Sequence, residues 1–346
     1  MTVIDSVTIY RYKLRLTSPI AWDRQAHTRR GGLLVCLGHS DVSGLGDIAP
    51  LPGFSAESLT EAQVWAEEFA REILESPLRT LDLSANKIPP SVRFGFELAL
   101  CSLDSATKKQ SPQEASAVAC CGLIGHEKNQ QIHLLHSLVS SDYRAVKLKL
   151  GRQSLEEDIN TVHTICGKYP ELKVRVDANR SWSINTAKDF VRATQNLRLD
   201  YLEEPLKDKT KLVELARNCT IPIALDETLR ERDAEKYYKV ADVRVLKPTL
   251  AGGTYTTLAH IEQAIQDNAR CIISSSYESG VGMLGLIELA RNLPEEIHGL
   301  DTHKVFERDV FRVPLQLSGP MLQPEGSIET HDLDQSILHR VWHAKT

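Results

Sequence analysis

The pattern of apolar and polar positions changes rhythm near residue 116. Before that point, Val3 to Leu16 is strand-like with partial alternation. Gly31 to Leu37 and Ser43 to Ile48 pair as a hairpin through Gly38, His39, Ser40 and Asp41. Ser55 to Leu74 and Ser91 to Lys108 have helical composition, the second with an apolar stripe at Phe94, Leu98 and Cys101. Strands followed by helices predict an α+β unit. Thr17 to Arg30, rich in polar and aromatic residues, reads as a mobile flap.

After residue 116 short apolar or β-branched runs recur, each followed by a polar or helical stretch. They are Ala117–Ile124, Ala145–Leu150, Lys173–Asp177, Asp200–Glu203, Ile221–Asp226, Val243–Lys247, Cys271–Ser276 and Glu296–Asp301. Eight βα units predict an α/β fold, a (β/α) barrel of TIM type with an N-terminal α+β capping domain. An open doubly wound sheet has the same alternation and is the alternative. The expected division is 1–112 for the cap and its flap, 113–305 for the barrel, and 306–346 for a tail packing back on the cap.

Five consecutive runs, the second to the sixth, carry charge at or next to their ends. Lys147 and Lys149 close the second, Asp177 the third, Glu203 the fourth, Asp226 the fifth and Lys247 the sixth. Taken singly these are bland: a lysine pair on one strand face is usually solvated, and an Asp before a helix is usually an N-cap. Successive caps have no reason to fall at successive strand ends, however, and a barrel gathers those ends around one mouth. Three carboxylates there repel each other unless a cation lies between them. Mg²⁺ takes oxygen ligands and keeps positions for water and substrate. Two lysines beside such an ion have their charged forms disfavoured, so one can act as a base near neutral pH. That equipment suits proton removal next to a carboxylate. Strand alternation puts Arg175 on the face of Asp177, where it contacts substrate or metal ligands, or pairs with one of the carboxylates. It turns Glu204 away from the side that Glu203 faces.

Bulk properties narrow the setting. The 346 residues exceed what one core usually supports. A net charge of −5 with no basic stripe gives no sign of a nucleic-acid partner. Seven cysteines without a C-x-x-C spacing read as reduced thiols, and neither a signal peptide nor a long apolar run is visible. The expectation is a cytoplasmic enzyme with a small-molecule substrate and no membrane partner; oligomeric state is not legible.

Lys147-Leu148-Lys149, Asp177-Ala178-Asn179-Arg180-Ser181-Trp182, Leu202-Glu203-Glu204-Pro205, Asp226-Glu227-Thr228-Leu229-Arg230 and Lys247-Pro248-Thr249-Leu250 resemble, in order and spacing, the muconate-lactonizing-type branch of the enolase superfamily. Enolase-superfamily sites are a standard example of a lysine base acting with Mg²⁺. Within the branch, Asp226 to Glu231, Ile273 to Ser279 and Gly299 to Thr302 are most similar to the o-succinylbenzoate synthase family. The resemblance implies dehydration of 2-succinyl-6-hydroxy-2,4-cyclohexadiene-1-carboxylate to o-succinylbenzoate, for menaquinone or phylloquinone synthesis. It implies Asp177, Glu203 and Asp226 as ligands of Mg²⁺, with Mn²⁺ as a substitute. It implies Lys149 as base and then acid, Lys247 as the stabilising ammonium and Lys147 as the residue tuning Lys149. N-acylamino acid racemases, dipeptide epimerases and muconate-type cycloisomerases would use the same set. A dipeptide epimerase typically carries Asp-x-Asp on the eighth strand, where Leu300-Asp301-Thr302-His303 offers one acid.

Two other motifs compete. Gly280-Val-Gly282-Met-Leu-Gly285 matches G-x-G-x-x-G and would suit a dinucleotide-binding oxidoreductase, but one further strand is too little for that fold. In a barrel, Ser274, Ser276 and this glycine-rich helix start offer donors to an anionic, dicarboxylate substrate. His339 and His343 read as surface residues of a tail helix, and His298 and His303 as loop residues.

Overall fold

The computed structural model describes residues 4–23, 25–75, 88–108, 116–125, 128–317, 319–324 and 330–346. The cap contains β1 (Ser6–Ala21), β2 (Ala26–His39), β3 (Val42–Ile48), α1 (Leu59–Glu75) and α2 (Pro90–Thr107). The barrel follows, opening with the short β4 (Val118–Ala119) and β5 (Gly122–Ile124). Then come α3 (Lys128–Ser140), β6 (Ala145–Lys149), α4 (Leu155–Lys168), β7 (Lys173–Asp177), α5 (Ile184–Thr194) and β8 (Leu199–Glu203). Next are α6 (Leu212–Ala216), β9 (Ile223–Leu225), β10 (Val243–Leu246), α7 (Pro248–Ala251), α8 (Thr254–Gln266), β11 (Arg270–Ile273) and α9 (Gly280–Ala290). The tail carries β12 (Met321–Leu322) and β13 (His339–Lys345). The expected cap–barrel boundary, at residue 112, lies outside the described residues.

Strands β5 to β11 form a seven-stranded parallel sheet in sequence order. The eighth run forms no strand. Its backbone nevertheless joins the two sheet edges: Gly299 bridges Ser274 beside β11, and His298 bridges Cys120 beside β5. The helices cover the outside, where Val146, Val174, Val176, Leu202, Ile223 and Leu246 share one large apolar core with Val162, Phe190 and Ile261. Local signals start the helices where the sequence permits. Ser154 and Glu157 make a reciprocal capping box at α4, and the Ser183 side chain accepts the Thr186 amide at α5.

The cap sheet runs in the order β13-β1-β2-β3. Alternation along β1 is partial because its buried face changes midway. Val7 and Ile9 pack under α1 and α2, whereas Tyr12 and Leu14 pack with Val281, Val310 and Phe311 on the barrel side. Most of the expected flap is strand: Thr17–Ala21 extends β1, and Ala26–Arg30 opens β2. Trp22 at this hairpin tip is buried against Leu51 and Leu250. The tail helix is also corrected. His339 and His343 lie on β13, which pairs antiparallel with β1 from Ser6↔Lys345 to Arg11↔His339.

Helix α9 fits closely beneath the cap. A Cβ on Gly282 would meet Asp47 Oδ2 at 2.7 Å, and one on Gly285 would meet Leu98 Cδ1 at 2.7 Å. Gly282 and Gly285 therefore serve close packing between barrel and cap, while Gly280 packs against Asp309 and Phe311 of the tail.

Candidate active site

Parallel register sets the depth of the charged side chains. Lys149 pairs with Asp177, and Asp177 with Glu203, so three charged residues share one level at the ends of β6, β7 and β8. Lys147, Arg175 and Tyr201 form the level below. Asp226 follows β9 and Lys247 follows β10.

Asp177, Glu203 and Asp226 are almost fully buried. Lys147 Nζ lies 2.9 Å from Asp177 Oδ2 and 2.7 Å from Glu203 Oε1, and Lys247 pairs with Asp226. Burial and the nearby Asp177 charge raise the Glu203 carboxyl above the ordinary range. Asp177 is lowered, because Lys147 and Lys149 together outweigh its burial. Lys147 and Lys247 are raised: burial opposes their charge, but the carboxylates around them prevail. This is opposite in direction to the expectation for lysines beside a divalent cation, and its cause is that these two ammonium groups hold the carboxylate oxygens themselves. Lys149 has no hydrogen-bond or ion-pair partner among the described residues.

Among the described residues no three acidic, histidine or cysteine side chains already converge as a metal cage. Lys147 stands between two of the carboxylates and Lys247 holds the third. The donor set nonetheless fits a hard cation, since Glu203 Oε2, Asp226 Oδ1 and Glu227 Oε2 are buried without partners.

Other expected residues lie elsewhere. Arg175 is inside the barrel, and its Nε donates to Asp200 Oδ2 at 2.7 Å and its Nη1 to the Ile297 carbonyl at 2.6 Å. Of the two expectations for it, the structure shows an ion pair, made with Asp200 instead of a mouth carboxylate. Ser274 Oγ donates to the Gly299 carbonyl at 3.3 Å, while Ser276 Oγ is buried without a partner. The donors at the start of α9 are taken: Ser279 N–H donates to Asp47 and Gly280 N–H to Asp309, both at 2.8 Å. His298 is more than a loop residue. It is buried, its Nδ1 accepts the Ile273 amide at 3.0 Å, and burial lowers its pKa to about 4.

Sequence reasoning missed the support around the mouth. Glu204 bonds the turn after β9 and is clamped by Arg180. The doubled acid of Glu203-Glu204-Pro205 was the available signal. Glu227 was missed as a further, half-buried acid beside Asp226, with its Oε2 buried.

A parallel barrel under an α+β cap, with lysines and carboxylates on its strand ends, defines the class as the enolase superfamily. Residues 132–327 match the enolase C-terminal domain-like family, and residues 4–103 match the MenC N-terminal domain. The o-succinylbenzoate synthase of Yersinia pseudotuberculosis serotype O:3 (strain YPIII) is 34% identical over 313 residues, covering 89% of this chain and 93% of that protein. That of Yersinia pestis (strain Pestoides F) is 34% identical over the same span. The chain belongs to the o-succinylbenzoate synthase family. Solved structures agree on the fold. The L-Ala-D/L-Glu epimerase from Bacillus subtilis has a TM-score of 0.83 at 18% identity, covering 95% of this chain and 98% of its own. The dipeptide epimerase from Cytophaga hutchinsonii has a TM-score of 0.81 at 20% identity, covering 98% and 99%.

Proposed function

We propose that this chain is a magnesium-dependent hydro-lyase converting 2-succinyl-6-hydroxy-2,4-cyclohexadiene-1-carboxylate into o-succinylbenzoate, on the way to menaquinone or phylloquinone. Its family supports the reading. One structural observation carries it: Lys149, without a hydrogen-bond or ion-pair partner among the described residues, stands level with Asp177 and Glu203, and Glu203 and Asp226 each keep a buried oxygen unpartnered.

On this reading Asp177, Glu203 and Asp226 would hold Mg²⁺, with Mn²⁺ as a substitute, and the ion would supply Lewis-acid assistance to proton removal next to a carboxylate. Lys149 removes the ring proton next to that carboxylate and delivers it to the departing hydroxyl, so proton and hydroxyl leave as water. Lys247, kept charged by Asp226, stabilises the negative charge that develops between those events. Lys147, between Asp177 and Glu203, sets the field around Lys149. Ser274 and Ser276 are the candidate donors to the succinyl carboxylate. No helix among the described residues is long and apolar enough to cross a membrane, and all seven cysteines are free, which suits a cytoplasmic site of action. Cap, barrel and tail are taken as 1–112, 113–305 and 306–346.

The test is turnover of the cyclohexadiene carboxylate by purified protein with Mg²⁺, then with EDTA. The expected result is metal-dependent formation of o-succinylbenzoate, abolished by the chelator and restored by added Mg²⁺. Folded protein that racemises N-acylamino acids and leaves the cyclohexadiene untouched would overturn the proposal.

A further inference from the structure

An aspartate at the start of a helical turn ordinarily turns its carboxylate back onto the turn's free amides. Asp226 occupies that position, immediately before the 3-10 turn Glu227–Arg230, yet its side chain makes no capping bond. It faces Lys247 instead, with Oδ1 buried and unpartnered. The capping is done by another residue. Glu204 Oε1 accepts the Asp226 amide at 2.9 Å and the Thr228 amide at 2.7 Å. Glu204 Oε2 accepts the Thr228 hydroxyl and Arg180 Nε, both at 2.9 Å.

We infer that Glu204, clamped by Arg180, is a positioning residue that caps the turn after β9 in place of Asp226 and so leaves the Asp226 carboxylate facing the mouth. The inference rests on the reading of that mouth as a divalent-ion and reaction site.

The surrounding backbone is shaped to this end. Glu204 has φ +39°, and Asn179 and Arg180, which follow β7, have φ +43° and +56°. Left-handed backbone at three non-glycine residues is uncommon and persists where the surroundings impose it. Here the two turns are tied together: Arg180 N–H donates to the Glu204 carbonyl at 2.7 Å, and Ala178 N–H to the Glu203 carbonyl at 3.1 Å. Arg180 also donates from Nη2 to the Thr228 hydroxyl at 2.8 Å and pairs with Glu231. Glu204 is 1% exposed, so solvent does not compete for these contacts. Loops after β7, β8 and β9, each beside one mouth carboxylate, are thereby locked to one buried side chain.

The test uses Mn²⁺ alone as probe, titrated into the purified chain by calorimetry, so catalysis is not needed to read it. In Glu204→Gln, where one acceptor oxygen is lost, Mn²⁺ affinity is expected to fall roughly 10- to 100-fold, the range for groups that orient metal ligands. Asp226→Asn is expected to fall at least as far. The double variant should fall no further than Asp226→Asn, because Glu204 acts through Asp226. Thr228→Val, which removes one leg of the clamp, gives a smaller loss and serves where Glu204→Gln does not fold. Unchanged Mn²⁺ affinity in both Glu204→Gln and Thr228→Val would overturn the inference, as would losses that simply add in the double variant. A wild-type chain that binds Mn²⁺ but leaves the cyclohexadiene unconverted removes the proposed reaction while the affinity series still decides this inference; one that binds no Mn²⁺ removes both.

Discussion

Buried carboxylates gather at two places in this molecule, the barrel mouth and the seam between barrel and cap. At the seam Asp47, from β3, accepts from Tyr12 Oη at 2.9 Å and from Ser279 N–H at 2.8 Å. Glu97, from α2, accepts the Thr254 and Tyr255 amides at the start of α8. Two cap residues thus cap two barrel helices. Burial raises both, each to about 7, just as it raises Glu203 at the mouth. A raised pKa therefore does not separate the two regions. Hydrogen-bond satisfaction does. No oxygen of Asp47 or Glu97 is buried without a partner, whereas Glu203, Asp226 and Glu227 each keep one that is. Buried polar groups are normally paired, so the unpaired carboxylate oxygens at the mouth support the proposed ion site, while the paired carboxylates of the seam join cap to barrel.

The largest expected effect breaks the mouth alone. Lys149→Ala should lower kcat by about 10²- to 10⁴-fold, the usual contribution of a positioned acid–base group. Its melting temperature should stay close to wild type, because Lys149 has no hydrogen-bond or ion-pair partner among the described residues. Steady-state turnover beside a thermal melt checks both halves. Near-wild-type turnover would remove Lys149 from the reaction.

The seam responds to pH and leaves chemistry alone. Asp47 and Glu97 have folded pKa values near 7, above their ordinary values of 3.8 and 4.5. Between those limits the folded chain binds more protons than the unfolded one, so stability from these groups is full at low pH and declines as pH rises through 7. The steepest slope is about 1.4 kcal/mol per pH unit for each group. Urea unfolding at pH 5, 6, 7 and 8 should show wild type losing stability relative to Asp47→Asn/Glu97→Gln as pH rises. A constant difference across that range would mean the seam does not titrate there.

What was legible in the sequence follows from how local each signal is. The run Lys173–Asp177 coincides with β7, because β-branched residues and a strand-end charge mark it within five positions. The eighth run failed because its place in the ring is secured by two bridges and by buried His298, none of which leaves an alternating pattern. Alternation correctly put Arg175 on the face of Asp177, but it carries no depth. Only register against β6 and β8 shows Arg175 a level lower, beside Asp200. Glu204 was hidden for a related reason: its left-handed backbone sends it to the neighbouring turn. Gly282 and Gly285 of α9 were visible, but their reason, Asp47 and Leu98 across the seam, lies far away in sequence.

The smallest expected effect concerns the tail, which belongs to neither region. His339 and His343 were read on a helix because four-residue spacing suits one, and a distant partner decided otherwise. On β13 the His343 Nδ1 lies 2.9 Å from Thr8 Oγ1, at an exposed position. What holds β13 is its backbone pairing with β1 over Ser6 to Arg11, together with half-buried Val341 and Trp342 against the cap core. Removing one exposed imidazole leaves the ladder and the apolar contact in place. His343→Ala should therefore change unfolding free energy by no more than about 0.5 kcal/mol. Added Zn²⁺ should shift the melting temperatures of wild type and variant equally, since among the described residues no three histidine, cysteine or acidic side chains converge to hold an ion. A Zn²⁺-dependent stabilisation present in wild type and absent in His343→Ala would show that unsatisfied polar groups outside the mouth can also await a ligand, and would limit the contrast to the barrel.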